Sequence, residues 1–260
     1  MRAEIISIGT EILLGEIQDS NARHLAQRLP ELGIDLYYMH QIGDNLERLS
    51  ELIRTAMERS DVVLCTGGLG PTEDDVTREA IALAVGEEPY VVPELEEHLR
   101  AFFARRNYAM PERNLKQATV IPSGESIANP RGTAPGWWVE KNDTIIVAMP
   151  GPPAEMTGMW ENEVAPRLKE RSTDAVIVSR TLKTVGIGEG TVDEMASPLL
   201  KSTNPSVGVY AKADGVHLRL TAKSASVEEA YKLVKPVEDE LRQIFGSAVW
   251  GADEDTLAEA

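Results

Sequence analysis

The chain has 260 residues, 42% of them hydrophobic and 26% charged, enough apolar material for a substantial core and for two domains. Its 42 acidic against 26 basic residues leave a formal charge of −16, and no basic run offsets this locally, which argues against a nucleic-acid or anionic-membrane surface. No apolar stretch approaches the roughly 18 residues of a membrane span, and the opening MRAEIISIG has no signal-peptide pattern, so a cytoplasmic protein is expected.

Residues 3–8 predict a first strand that breaks at Gly9, Thr10 and Glu11. Asp19, Ser20 and Asn21 offer an N-cap, and Ala22, Leu25, Ala26 and Leu29 follow at helical spacing until Leu32 and Gly33. Residues 34–42 give a second strand. Asp44 or Asn45 then caps a helix whose apolar face carries Leu46, Leu49, Leu52, Ile53 and Met57. Val62, Val63 and Leu64 form a short apolar run of the kind buried in a parallel sheet. This β-α-β-α-β-α alternation predicts an α/β domain, a parallel sheet covered by helices on both sides. Ligands are expected outside the carboxyl ends of its strands, where the loops after Ile8, Ile42 and Thr66 all lie.

The third of these loops lies within VVLCTGGLGPTEDDVT, residues 62–77. Gly67, Gly68 and Gly70 permit backbone angles that let successive N–H groups turn toward an anion, ahead of a helix that ends near Gly86. Gly67, Gly68, Leu69, Gly70, Pro71 and Thr72 are therefore candidate phosphate-binding residues. Glu73, Asp74 and Asp75 would repel a phosphate unless a hard cation lay between, and magnesium is commonly held by one or two carboxylates plus phosphate oxygens. Asp74 and Asp75 are accordingly metal-ligand candidates; the alternative is a tight turn whose acids complement the helix dipole. The lone Cys65 reads as a small buried hydrophobe, and the four histidines show no metal-ligand spacing.

Residues 93–106 predict a helix and residues 110–117 a short one. NPRGTAPG, residues 129–136, is a turn-rich loop leading to Trp137 and Trp138, followed by an apolar strand at 144–149. MPGPPAEM then starts a helix that runs through Met159, Trp160, Val164 and Leu168, closing a first domain at about residue 170. Residues 171–174 read as a linker. Beyond it the pattern becomes βαββαβ, a small α+β domain over residues 171–252, with Asp214 and Gly215 as a hairpin turn and Pro236 as a kink in the last helix. An acidic tail, residues 253–260, follows.

With GTEILLGEIQDSN, GGLGPTEDDVT, NPRGTAPG and MPGPPAEM in this order, the chain resembles the CinA (competence/damage-inducible protein) family over residues 1–255. SRTLKTVGIGEG and YAKADGVHLRLTAK are similar to that family's small second domain. The resemblance implies a molybdopterin-binding-like three-layer α/β/α first domain, a homodimer, and a metal-dependent pyrophosphatase that converts ADP-ribose or a related nucleotide to AMP and ribose 5-phosphate. It also implies a divalent cation, magnesium or similar, with potassium as a further candidate. Longer members continue into a nicotinamide-nucleotide deamidase domain that has no counterpart in these residues. Related molybdopterin-binding proteins place aspartates where Asp44 and Asp75 stand here, although Asp44 reads equally as a helix N-cap.

Thr10, Glu11 and Asn21 are second-rank candidates for the mouth of the site, with Asp19 and Asn21 also readable as capping residues. Gly151 and Pro152 bring backbone to the same edge, with Glu155 as a weaker ligand candidate. In the second domain Lys183 is a candidate to neutralise phosphate and Glu189 to act on water or metal, beside the plainer readings of a solvated lysine and a helix-capping glutamate. Tyr210 is a candidate to stack on a base, or simply a core aromatic. The expected catalytic set is thus Asp75, Lys183 and Glu189, and the metal set Asp44, Asp74 and Asp75. The rival functions are pterin binding or adenylyl transfer in molybdenum-cofactor assembly, and a non-catalytic nucleotide-binding module.

Overall fold

The computed structural model describes residues 1–172 and 176–256. These form two compact units, the first spanning Met1–Leu29 and Ile34–Ser172 and the second residues 176–256 with Pro30–Gly33. Half of the expected linker at 171–174, the start of the strand expected from residue 175, and the end of the acidic tail lie outside the described residues.

The first unit contains β1 (Arg2–Ile8), α1 (Thr10–Leu13), α2 (Ser20–Arg28), β2 (Asp35–Ile42), α3 (Leu46–Arg59), β3 (Val62–Thr66) and α4 (Thr77–Val85). There follow β4 (Tyr90–Val91), α5 (Pro93–Ala104), β5 (Thr119–Val120), β6 (Gly124–Ile127), β7 (Gly136–Lys141), β8 (Thr144–Met149), α6 (Pro153–Met159) and α7 (Ala165–Arg171). Six strands make one sheet in the order β2-β1-β3-β8-β7-β6, and β4 pairs separately with β5. The pairs β2 with β1, β1 with β3 and β3 with β8 are parallel, while β7 runs against β8 and β6. Every residue of β3 and β8 is buried, as expected of strands covered on both faces. Ile6, Ile8, Val63, Cys65 and Ile146 pack with Leu49 and Ile53 of α3 and Ile81 of α4. Ile5, Leu64 and Val147, which alternate with them, are buried as well, and α2 packs on β1 and α6.

Two details differ from the sequence reading and a third settles an alternative it left open. The α-helical part of α2 stops at Arg28 and tightens into a 3₁₀ turn, Leu29–Leu32, because Pro30 has no N–H to continue the ladder. A single π-helical turn, Trp160–Val164, separates α6 from α7. Pro166 follows immediately and removes the N–H that would have bonded the carbonyl four residues back. Asn45, not Asp44, caps α3: its Oδ1 accepts from the Arg48 N–H at 3.0 Å.

A buried polar knot sits at the opposite end of β1. Glu4 is fully buried and accepts from Arg59 Nε and Nη2, each at 2.8 Å, and from Ser60 Oγ at 2.7 Å, with His40 Nε2 at 3.0 Å. Burial pushes its carboxyl up, but these donors outweigh that and hold it below the ordinary glutamate value.

The second unit contains β9 (Val176–Thr184), α8 (Glu189–Leu200), β10 (Ser206–Lys212), β11 (Gly215–Ser224), α9 (Val227–Phe245) and β12 (Val249–Ala252), the predicted βαββαβ order. Its sheet, β10-β11-β9-β12, is antiparallel throughout. Lys212 pairs with Gly215, so the hairpin loop is Ala213 and Asp214, one residue earlier than expected. Gly215, at φ +132°, is held in the strand because a Cβ there would lie 1.9 Å from the Thr184 carbonyl oxygen. Pro236 lies within α9, which runs unbroken from Val227 to Phe245. Tyr210 stands on the edge strand β10 with about half its surface exposed, so the core reading of this residue fails.

Candidate functional site

At the carboxyl ends of β1, β3 and β8 the first unit opens into a cleft of about 640 Å³. The loop after Thr66 forms one wall. Gly67 and Gly68 have φ of +103° and +64°, and a Cβ on Gly67 would stand 2.1 Å from the Ile8 carbonyl oxygen, so the loop crosses β1 at a distance only glycine allows.

Four of the loop's carbonyls are occupied, those of Gly67, Gly68, Leu69 and Thr72. Thr77 Oγ1 donates to the Gly67 oxygen at 2.7 Å, the Thr77 N–H to Gly68 at 3.2 Å, Arg78 Nη1 to Leu69 at 2.8 Å and Lys116 Nζ to Thr72 at 3.1 Å. The N–H groups of Gly68, Leu69 and Gly70, by contrast, donate no hydrogen bond among the described residues. Three successive amides without acceptors, beside a cleft, have the donor chemistry of an anion-binding nest.

The carboxylates are arranged in a related way. Asp44 Oδ2 accepts from the Thr10 N–H and Oγ1, both at 2.8 Å, which ties the loop after β2 to the loop after β1. Asp75 Oδ2 accepts from the Thr72 N–H at 2.9 Å and Thr72 Oγ1 at 2.6 Å, closing the glycine loop on itself rather than capping α4. In both residues Oδ1 has no hydrogen-bond partner among the described residues, and exposed Asp74 makes no hydrogen bond or ion pair there. Glu11 rests against Gly9, where a Cβ would fall 2.6 Å from Glu11 Oε1. Asn21 Nδ2 donates to the Gly151 carbonyl, leaving its buried Oδ1 without a partner. Asp19 Oδ1 caps α2 through the Ala22 N–H at 2.9 Å.

Among the described residues six carboxylates line the cleft, from Glu11, Asp19, Asp44, Asp74, Asp75 and Glu155, and no lysine or arginine does. Among the described residues no three His, Cys, Asp or Glu side chains converge on a single metal position. The metal set expected from sequence, Asp44, Asp74 and Asp75, therefore lines one cleft without forming a closed ligand cage. The donor chemistry still suits a hard cation that takes one or two carboxylate oxygens and completes its shell with phosphate and water.

Of the expected substrate contacts, Glu11, Asn21, Gly67, Gly68, Leu69, Gly70, Pro71, Gly151 and Pro152 line the cleft, and Thr10 and Thr72 hold its aspartates. Lys183, Glu189 and Tyr210 belong to the second unit. Lys183 Nζ donates to the Asp255 carbonyl at 2.8 Å and lies 5.4 Å from the Trp250 ring centroid, so it is not the freely solvated lysine of the plainer reading. Glu189 is the exposed first residue of α8.

Sequence reasoning missed Arg78, Lys116 and Asn129. Arg78 is 1% exposed and donates to the carbonyls of Leu69 and Pro135, each at 2.8 Å, fastening the glycine loop to the 129–136 loop. Burial pulls its guanidinium down to about 10, with Glu79 and Asp75 opposing, which leaves it charged at neutral pH. Its position three residues before buried Ile81 on α4 was the available signal. Lys116 Nζ reaches the Asp75 carbonyl at 2.5 Å as well as Thr72, and pairs with Glu79 at 3.1 Å. Asn129 accepts from the Gly132 N–H at 3.1 Å and donates to Glu155 Oε2 at 2.7 Å, shaping the loop that carries Thr133 into the cleft.

Known proteins share this architecture. Residues 4–170 match the family described as "Probable molybdopterin binding domain" and residues 179–251 the "Damage-inducible protein CinA KH domain". The first unit is thus a mostly parallel α/β domain of the molybdopterin-binding type, followed by a small KH-type domain. The chain is 47% identical over 260 residues to a CinA-like protein of Thermomicrobium roseum, covering 100% of this chain and 64% of that protein. It is 48% identical over 262 residues to a CinA-like protein of Deinococcus radiodurans, covering 99% of this chain and 64% of that protein. A solved structure of CinA from Thermoplasma acidophilum, described as of unknown function, superposes with a TM-score of 0.58 at 30% identity, over 64% of this chain and 98% of that one. The chain belongs to the CinA family, and it spans 64% of the length of these two relatives. No described helix is long and apolar enough to cross a membrane.

Proposed function

We propose that the first unit is a divalent-metal-dependent hydrolase of a nucleotide pyrophosphate bond, acting on ADP-ribose to give AMP and ribose 5-phosphate. The observation that carries this reading is the pairing of three acceptor-free amides, Gly68, Leu69 and Gly70, with a cleft whose charged lining is entirely carboxylate. The amides favour an anion and the carboxylates reject one, a conflict that a cation between them resolves. One or two of the cleft's aspartates would hold it, Asp44 and Asp75 each offering an unpaired Oδ1 and Asp74 an unengaged carboxylate, with phosphate and water completing the shell. When bound, such a cation polarises a phosphoryl oxygen and acidifies water. The residues present do the rest. The glycine loop receives non-bridging phosphoryl oxygens, Thr10 and Thr72 keep the two aspartates in place, and the buried Asn21 Oδ1 is open to a sugar hydroxyl. Water adds to one phosphorus, the bridging oxygen leaves with the other, and the proton released goes to solvent.

The deciding experiment incubates the protein with ADP-ribose and magnesium, manganese or no added metal, and separates the products. AMP and ribose 5-phosphate in equal amounts, lost on chelation, are expected; intact ADP-ribose under every metal would reject the assignment. The second reading, a pterin-binding module of molybdenum-cofactor chemistry, is favoured by the family description that residues 4–170 match. Saturable pterin binding that leaves ADP-ribose unhydrolysed would favour it.

A further inference from the structure

The walls of the acidic cleft carry no aromatic side chain, so nothing there offers a flat apolar face to a heteroaromatic ring. A second cavity of about 460 Å³ adjoins it within the same unit. Leu95, Leu99 and Phe102, spaced at helical intervals on α5, line one side, and Pro130 and Pro135 belong to the other. Gln117 and Thr133 line both cavities, so the two lie side by side with the 129–136 loop contributing to the wall of each. The Phe102 ring has the Arg106 guanidinium 3.7 Å from its centroid and meets the Phe103 ring edge to face, centroids 5.8 Å apart. Ser126 and His98 also line the cavity, and neither side chain makes a hydrogen bond among the described residues, so both are open to the polar edge of a base.

We infer that this second cavity holds the base of the nucleotide whose diphosphate occupies the acidic cleft, stacked on Phe102, an inference that rests on the pyrophosphatase reading above. Its size is within the range of about 300–1,000 Å³ usual for small-molecule sites. The division of labour follows from the chemistry of the two walls. Carboxylates and bare amides serve the phosphates, while an apolar pocket with one ring and a few polar groups serves the base.

The test uses the full chain and three probes: adenosine, inorganic pyrophosphate with magnesium, and ADP-ribose. Phe102→Ala is expected to weaken adenosine binding and raise the KM for ADP-ribose about tenfold, with kcat within about twofold of the parent. Pyrophosphate affinity should stay unchanged, and Phe102→Tyr, which keeps the ring, should behave like the parent. Equal adenosine affinity in the parent and Phe102→Ala would overturn the inference, as would a matching loss of pyrophosphate affinity, the mark of a merely structural role. If the parent leaves ADP-ribose intact, the pyrophosphatase reading fails on its own. The adenosine titration still decides the pocket: binding that depends on Phe102 supports it, and no binding by the parent removes it.

Discussion

Gly70→Ala separates the chemistry of the cleft from its folding. Gly70 does not need a positive φ, so alanine brings no backbone strain, yet its Cβ would lie 2.4 Å from Asp75 Oδ2 and 2.8 Å from Oδ1. Those atoms end a side chain that can rotate, so the carboxylate yields rather than the loop. Rotation breaks the two bonds from Thr72, at 2.9 and 2.6 Å. Both are exposed, which puts the stability loss at about 1–2 kcal/mol instead of the full value of two buried charged bonds. Displacing a charge positioned for the reaction costs far more, about 10²-fold or greater in kcat/KM. The assay pairs AMP release from ADP-ribose with a thermal melt. Asp75→Asn should match the activity loss, and the double variant should be no worse than either single one, since both remove the same carboxylate. Gly70→Ala with parental kcat/KM would refute the role given to Asp75.

Gly67→Ala should do the reverse and damage the fold. A left-handed φ and a Cβ 2.1 Å from a backbone oxygen together cost about 3–5 kcal/mol, and an unchanged melting temperature would contradict the close crossing of the loop over β1. Glu4→Gln should lose roughly 1–3 kcal/mol at pH 7 by urea unfolding. Because the folded carboxyl is held below its ordinary value of 4.5, the stabilisation is complete above 4.5 and fades as pH falls through the lower folded value. A gap between Glu4→Gln and the parent that stays constant down to pH 3 would argue against this. Cys65 is fully buried and its thiol is pushed up to about 12 by burial, so a disulfide reagent at pH 8 should label it only as fast as the unit opens. Labelling at the rate of a free thiol would show that β3 is not enclosed.

The fold was legible because its central strands are buried on both faces and so read as unbroken apolar runs, as in residues 62–64 and 144–149. The glycine loop was legible because Gly67 and Gly68 occupy backbone angles that few other residues tolerate. Asp44 was ambiguous for a local reason. Asp and Asn are equivalent N-caps, and only the contact of Asn45 with the Arg48 amide shows which is free to hold Thr10 from 34 residues away. The hairpin after β10 slipped by one residue because glycine normally marks a turn, whereas Gly215 is required inside the strand by the Thr184 carbonyl.

Arg78 and Lys116 escaped notice because their work is done at a distance, and on the proposed reading it would let an acidic cleft take up phosphate. Neither cation lines the cleft. Each instead binds carbonyl oxygens of the glycine loop, Arg78 that of Leu69 and Lys116 those of Thr72 and Asp75. With Thr77 holding the oxygens of Gly67 and Gly68, five carbonyls of the loop, those of Gly67, Gly68, Leu69, Thr72 and Asp75, are engaged by protein donors. The amides of Gly68, Leu69 and Gly70, by contrast, donate no hydrogen bond among the described residues. The positive charge thus acts through the orientation of the backbone, while the surface of the cleft stays acidic; on the proposed reading a cation would accompany every phosphate that enters.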